Sequence, residues 1–158
     1  MRQLFFEELY KQMKINNDIY ALTGDLGYGG FDKIRDEFSD RFINCGAAET
    51  AMMDIACGMA IEGKIPFVYS ITTFLLYRPF EVLRTYINHE KLNVKLIGSG
   101  RGKNYEIDGW SHDATDVKPF LDLLPNIKQF WPNEKEEVSA ILDTMIQYKG
   151  PQFLSLRR

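Results

Sequence analysis

A chain of 158 residues, 45% hydrophobic and 26% charged, has the make-up of an ordinary folded domain and is long enough to bury a core, which argues against disorder. Its net charge of −3 gives no electrostatic basis for nucleic acid or an anionic membrane as partner. No apolar run reaches the ~20 residues of a membrane span, Glu7 and Glu8 stand too early for a secretory signal, and Cys45 and Cys57 form neither a metal spacing nor a disulfide framework, so a reducing cytoplasm is expected.

In chain order, Leu4, Phe5, Leu9 and Met13 recur near helical spacing and predict an amphipathic helix over 2–15. A short buried strand over 19–23 runs into a glycine-rich turn, 24–30. Residues 31–38 follow as a short helix and 42–44 as a second strand. Met52, Ile55, Ala56, Met59 and Ala60 mark a helix over 48–62, stopped by Gly63. Next come a strand over 65–69 and an aromatic-rich helix over 72–89, with Pro79 as a kink or helix start. A strand over 94–97 leads into a long polar loop, 98–112. Helix 116–124, strand 127–131, helix 134–148 and a closing strand 153–156 complete the chain. Glu134-Lys135-Glu136-Glu137 is expected to be a solvated first turn. Strands and helices alternate throughout, without a repeat or linker. That predicts a single α/β domain over 1–158, doubly wound, its mainly parallel sheet covered by helices on both faces. Ligands in such folds sit at the carboxyl ends of strands. The candidate loops are therefore 24–30, 44–49, 70–73 and 98–112.

Each candidate has a plain structural alternative. The turn 24–30 could be a dinucleotide loop, but it lacks the G-x-G-x-x-G spacing and a following phosphate lysine; the plain alternative is a tight strand-to-helix connection. Glu49 stands near a helix start, where an acid complements the helix dipole. Its neighbours in sequence are Gly, Ala and Met, and apolar surroundings would instead raise its pKa and suit it to proton transfer. Phe74, Tyr77 and Phe80, three apart, fit one helical face, as core or as a wall for a flat heteroaromatic ring. Asp108-Gly109-Trp110-Ser111-His112 puts one of only two histidines in a long loop, either solvated or placed to move a proton or bind a polar substrate. His89 falls in a polar helix end and is set aside.

Four motifs occur in order: Asp25-Leu26-Gly27; Asp40-Arg41-Phe42-Ile43-Asn44-Cys45-Gly46-Ala47-Ala48-Glu49; Glu62-Gly63-Lys64-Ile65-Pro66-Phe67-Val68-Tyr69-Ser70; and Leu124-Pro125-Asn126. Together they resemble the pyrimidine-binding domain of transketolases, from about Leu4 to Arg158. The resemblance implies a doubly wound α/β fold and thiamine diphosphate as cofactor. It makes Glu49 the glutamate that hydrogen-bonds N1′ of the aminopyrimidine and so helps the ring take up the thiazolium proton. It places Tyr77 on the pyrimidine ring, with Phe74 and Phe80 around it and Asp25 near the channel of cofactor and substrate. His112 and Asp108 would meet the hydroxyls of a ketose donor, and Arg158 the substrate phosphate.

The family's usual Gly-Pro-Thr-His stands here as Gly109-Trp110-Ser111-His112, with Trp110 able to reshape the acceptor side. The chain holds no Gly-Asp-Gly…Asn motif for diphosphate and metal. The resemblance therefore implies a diphosphate-binding transketolase-like partner subunit, in an α2β2 assembly, that holds the diphosphate with Mg²⁺ or Ca²⁺. The expected activity is transfer of a two-carbon ketol unit between sugars, with a phosphorylated or nucleotide-linked sugar as substrate. The alternatives are a split thiamine-diphosphate decarboxylase of 2-oxo acids and a non-catalytic regulatory subunit of the same fold.

Overall fold

The computed structural model describes residues 1–158. Its centre is a six-stranded, wholly parallel sheet in the order β2-β1-β3-β4-β6-β5. The strands are β1 (Ile19–Thr23), β2 (Phe42–Asn44), β3 (Ile65–Ile71), β4 (Lys95–Ser99), β5 (Lys128–Phe130) and β6 (Gln152–Leu156). The α/β architecture expected from the alternation of elements is the one found.

Side chains alternate across the strands and build two cores. Leu22, Val68, Leu96 and Phe153 face α3 (Glu49–Ile61), α4 (Thr72–Tyr77) and α6 (Val117–Asp122). Ala21, Phe67, Tyr69, Ile97 and Leu154 face α1 (Arg2–Ile15), α2 (Asp32–Glu37) and α7 (Glu137–Gln147). Buried on both faces, the inner strands read as continuous apolar runs. Arg41 of the Asp40-Arg41 motif is structural: it donates to the carbonyls of Met13 and Asn16 at the end of α1 and stacks on Phe38. No helix is long and apolar enough to cross a membrane.

Three expectations need correction. The aromatic helix expected over 72–89 is broken. After α4 comes Pro79, then a single turn α5 (Phe80–Val82) and a π-helical stretch Leu83–His89. Proline has no N–H to continue the ladder of α4, and the chain restarts behind it. The loop expected over 70–73 is absent, and the one expected from 98 begins later. β3 runs to Ile71 and passes straight into α4, and β4 includes Gly98 and Ser99. Glycine is required at 98, because a Cβ there would stand 2.6 Å from Thr72 Oγ1 and 2.9 Å from the Phe153 ring. Finally, α7 starts at Glu137 rather than 134. The Glu137 carboxylate accepts from the N–H groups of Asn133 and Glu134, which holds it below the usual carboxylate range and ties off the turn before the helix.

The glycine-rich turn is a tight connection. Gly27 lies at φ 85°, where its carbonyl accepts from Gly30 and Phe31, and a Cβ on it would stand 2.6 Å from the Phe31 ring.

Candidate active site

β1 sends the chain to β2 on one side, while β3 pairs on the other, so the sheet's topological switch point lies between β1 and β3. Crevices at such points are where open α/β sheets take ligands. Glu49, first residue of α3, stands over this one. Its side chain is 1% exposed. Oε1 accepts from Ser70 Oγ of β3 at 2.9 Å, and Oε2 accepts from Arg78 Nη1 at 2.6 Å. Gly24, just past β1, lies beneath: a Cβ there would meet Glu49 Oε1 and Ser70 Oγ, each at 3.2 Å. The apolar setting suggested by Glu49's neighbours in sequence is therefore not its setting in space. The groups that reach the carboxylate come from β3 and from the residue just past α4.

The three aromatics divide into two groups. Phe74 lies on the Glu49 side, with the Arg78 guanidinium carbon 3.8 Å from its ring centroid and the His112 ring edge-on at 4.7 Å. Tyr77 and Phe80 both pack on Phe120 of α6, at 4.8 and 5.2 Å. The Tyr77 hydroxyl donates to Asp116 at 2.5 Å; burial, then that bond, hold the phenol far above its ordinary pKa. Phe74 and Tyr77 share α4, but a step of three residues falls about 60° short of a full turn, enough to send the two rings to different neighbours.

His112 sits in a one-turn helix, Trp110–His112, with Nδ1 at 3.0 Å from Ser111 Oγ. Two threonines at the start of α4 fasten its loop: Thr72 Oγ1 donates to Gly100 O at 2.5 Å and Thr73 Oγ1 to Ser111 O at 2.7 Å. A bridge between Gly102 and Ala114 closes the loop's base. Asp108 is exposed and apart from Glu49, and Trp110 beside it is 81% exposed.

Asp25 and Arg158 flank the site without touching Glu49. Asp25, at φ 58°, accepts from Tyr28 Oη at 2.8 Å and from Asn44 Nδ2 at 3.1 Å. These bonds, Tyr28's foremost, keep its carboxyl below the usual range. Arg158 lies over the Tyr105 ring at 5.3 Å, and the Tyr105 hydroxyl receives Arg2 Nη1 at 3.1 Å. Both arginines line a cleft of about 600 Å³ beside Tyr28 and Gly29. No cluster of His, Cys, Asp and Glu capable of holding a metal is present. His89 is exposed beside Glu90 and belongs to none of this.

The structure thus links Glu49, Phe74 and His112: Arg78 bridges the first two, and the His112 ring packs on Phe74. It adds Arg78 and Tyr105, which residue patterns did not single out, and Ser70, which stood in a candidate loop and a motif without a role. Arg78 had a usable signal: it is four residues beyond Phe74, one turn along the same helix face.

Comparison with known proteins identifies the family. A family model described as "Transketolase, pyrimidine binding domain" matches residues 1–158. A Methanocaldococcus jannaschii protein assigned as a transketolase C-terminal section is 31% identical over the whole of this chain and 50% of its own length. A 6-deoxy-6-sulfo-D-fructose transketolase subunit from a Clostridium species is 26% identical over all of this chain and 49% of its own. Among solved structures, a split-gene transketolase described as an inactive beta4 tetramer superposes with a TM-score of 0.86 and 30% identity, over 99% of this chain and 51% of that one. The chain spans about half the length of the curated relatives it matches.

Proposed function

This chain belongs to the transketolase pyrimidine-binding domain family, and on that premise we propose that it acts, as a single domain, as the pyrimidine-seating half of a split thiamine-diphosphate enzyme. The enzyme transfers a two-carbon ketol unit from a ketose to an aldehyde acceptor. The observation that carries this is the Glu49 carboxylate, buried at the switch point between β1 and β3 with the Phe74 face and His112 beside it.

The residues present fit the pyrimidine end of thiamine diphosphate. Gly24 leaves the floor of the crevice free of a side chain, and Glu49 offers a buried acceptor above it. When bound, the cofactor supplies the electron sink for breaking and making the carbon–carbon bond. Glu49 holds a proton at the ring nitrogen, where a buried carboxyl can share it in either direction. Phe74 walls the ring, while Tyr77 and Phe80, packed on Phe120, brace α4 and α6 beside it. His112, fixed through Ser111 to Thr73, orients donor hydroxyls, with Asp108 at the outer edge. Arg158 meets the anionic end of a phosphorylated or nucleotide-linked sugar, and Asp25 lines the approach.

The diphosphate and its Mg²⁺ or Ca²⁺ belong on a partner chain, in an α2β2 assembly working in cytoplasmic carbohydrate metabolism. Two observations support a partner: relatives of matching sequence are described as subunits or sections, and the split-gene relative is inactive as a beta4 tetramer. The test combines this chain with a diphosphate-binding transketolase subunit, thiamine diphosphate, Mg²⁺ and a ketose donor. Glu49→Gln should lower ketol transfer by about 100-fold or more, the range of a lost general acid–base group. Transfer at the wild-type rate overturns the proposal, and carbon dioxide release from a 2-oxo acid in the same mixture would assign decarboxylation instead.

A further inference from the structure

Arg78 lies between the last residue of α4 and Pro79. Its side chain turns back one helical turn onto Phe74, stacks there at 3.8 Å, and donates through Nη1 to Glu49 Oε2 at 2.6 Å. A guanidinium is flat, cationic and rimmed with N–H donors. Stacking on an aromatic face while donating to a buried carboxylate are the two contacts by which a flat heteroaromatic base would be held at this place. Ser70 donates to Oε1 from β3, and Arg78 covers Oε2, the oxygen on the Phe74 side that an incoming base would meet.

We propose that Arg78 is a latch that fills the pyrimidine seat of the empty subunit and must swing out before a base can reach Glu49. This inference rests on the seat assigned above and adds to it how the seat is kept and opened. The asymmetry of the pair supports it. The Arg78 side chain is 44% exposed and Glu49 1%, so the cation has a path to water and the carboxylate has none. Pro79 ends the helical turn, so a change of rotamer releases the guanidinium without unwinding α4. The latch also keeps the buried carboxylate paired while the seat is empty; an unpaired buried charge is strongly unfavourable. Its consequence is a lower apparent affinity for the base, in proportion to the fraction of molecules with the latch open.

The probe is thiamine, which carries the pyrimidine without the diphosphate, titrated into the full chain by NMR. Arg78→Met should bind it about three- to tenfold more tightly than wild type, as expected for a seat filled by its own side chain roughly 70–90% of the time. In the wild type, saturation should move the Arg78 Nε–Hε resonance to the position of a solvent-exposed arginine. Arg78→Lys keeps a cation for the carboxylate, guards against misfolding, and should fall between the two. Binding that requires Glu49 (lost in Glu49→Gln) but is no tighter in Arg78→Met and Arg78→Lys overturns the latch and leaves the seat standing. An unmoved Arg78 resonance at saturation does the same. Binding indifferent to Glu49, or none in any form, overturns the seat and the latch together.

Discussion

Thr73 Oγ1 donates to the carbonyl of Ser111 at 2.7 Å, so the first turn of α4 holds the residue next to His112. One element therefore carries the aromatic beside Glu49 and also positions the loop histidine. Thr73 is buried, and Thr73→Val keeps its shape while leaving the Ser111 carbonyl without this donor. The expected cost is about 1 kcal/mol, felt locally. Amide exchange over 109–114 should quicken while that of the sheet stays unchanged; equal protection across the loop in both forms would disconnect Thr73 from His112.

Gly98 tests the packing beneath that loop. A Cβ there would press on Thr72 Oγ1 at 2.6 Å, the hydroxyl that holds Gly100. Gly98→Ala should destabilise the chain by about 1–3 kcal/mol, the usual range for overpacking a close-packed interior. Thermal unfolding reads this directly, and an unchanged melting temperature would mean that Thr72 yields freely.

Lys95 makes stability depend on pH at the other end of the sheet. It is fully buried, and burial lowers its pKa from 10.5 to about 7, with Lys128 adding to the shift. Between about pH 7 and 10.5 the unfolded chain holds a proton that the folded chain has released. Stability attributable to Lys95 therefore rises with pH across that window, by at most about 1.4 kcal/mol per pH unit, and is flat below it. Denaturant unfolding from pH 7 to 10 should show a steeper rise in wild type than in Lys95→Met. Parallel curves would mean that the ammonium stays charged in the folded chain.

The cysteines should respond unequally to a thiol reagent. Burial, with Asp54 nearby, pushes the Cys57 thiol up to about 12; Cys45 is half-buried and raised by burial alone. Native chain at pH 8 should label first and slowly at Cys45, and at Cys57 only once denatured. Mass spectrometry of the labelled peptides distinguishes the sites, and prompt labelling of Cys57 would contradict its burial.

Much of the scaffold was legible from residue pattern alone, because strands buried on both faces leave uninterrupted apolar runs such as Ile19–Thr23. Punctuation was less legible. Gly98 reads as the start of a loop yet sits inside β4, where its missing side chain makes room for Thr72. The crevice was legible in its individual residues but not in its pairings. Arg78 meets a carboxylate 29 residues away, and Tyr77 an aspartate 39 residues away. Neither separation has a local signature. Phe74 parts from Tyr77 within α4 itself, because a step of three residues falls about 60° short of a full helical turn, and spacing alone does not say which neighbour each ring meets.

Lys95 also bears on which parts of this protein can be rewritten. Its Nζ lies within hydrogen-bond distance of the carbonyls of Tyr148 and Gly150 and of Gln152 Oε1, joining β4, β6 and the end of α7. The opposite rim is assembled from segments, each held by one or two bonds, with Asp108 and Trp110 free in solvent. Variation should accumulate at that rim, where a changed loop alters what is recognised, and be purged at the foot, where a single lost amine leaves three carbonyls stranded. A library randomised at 104–110 would be expected to yield mostly folded proteins with altered preferences, and one randomised at 93–95 and 148–152 mostly unfolded ones.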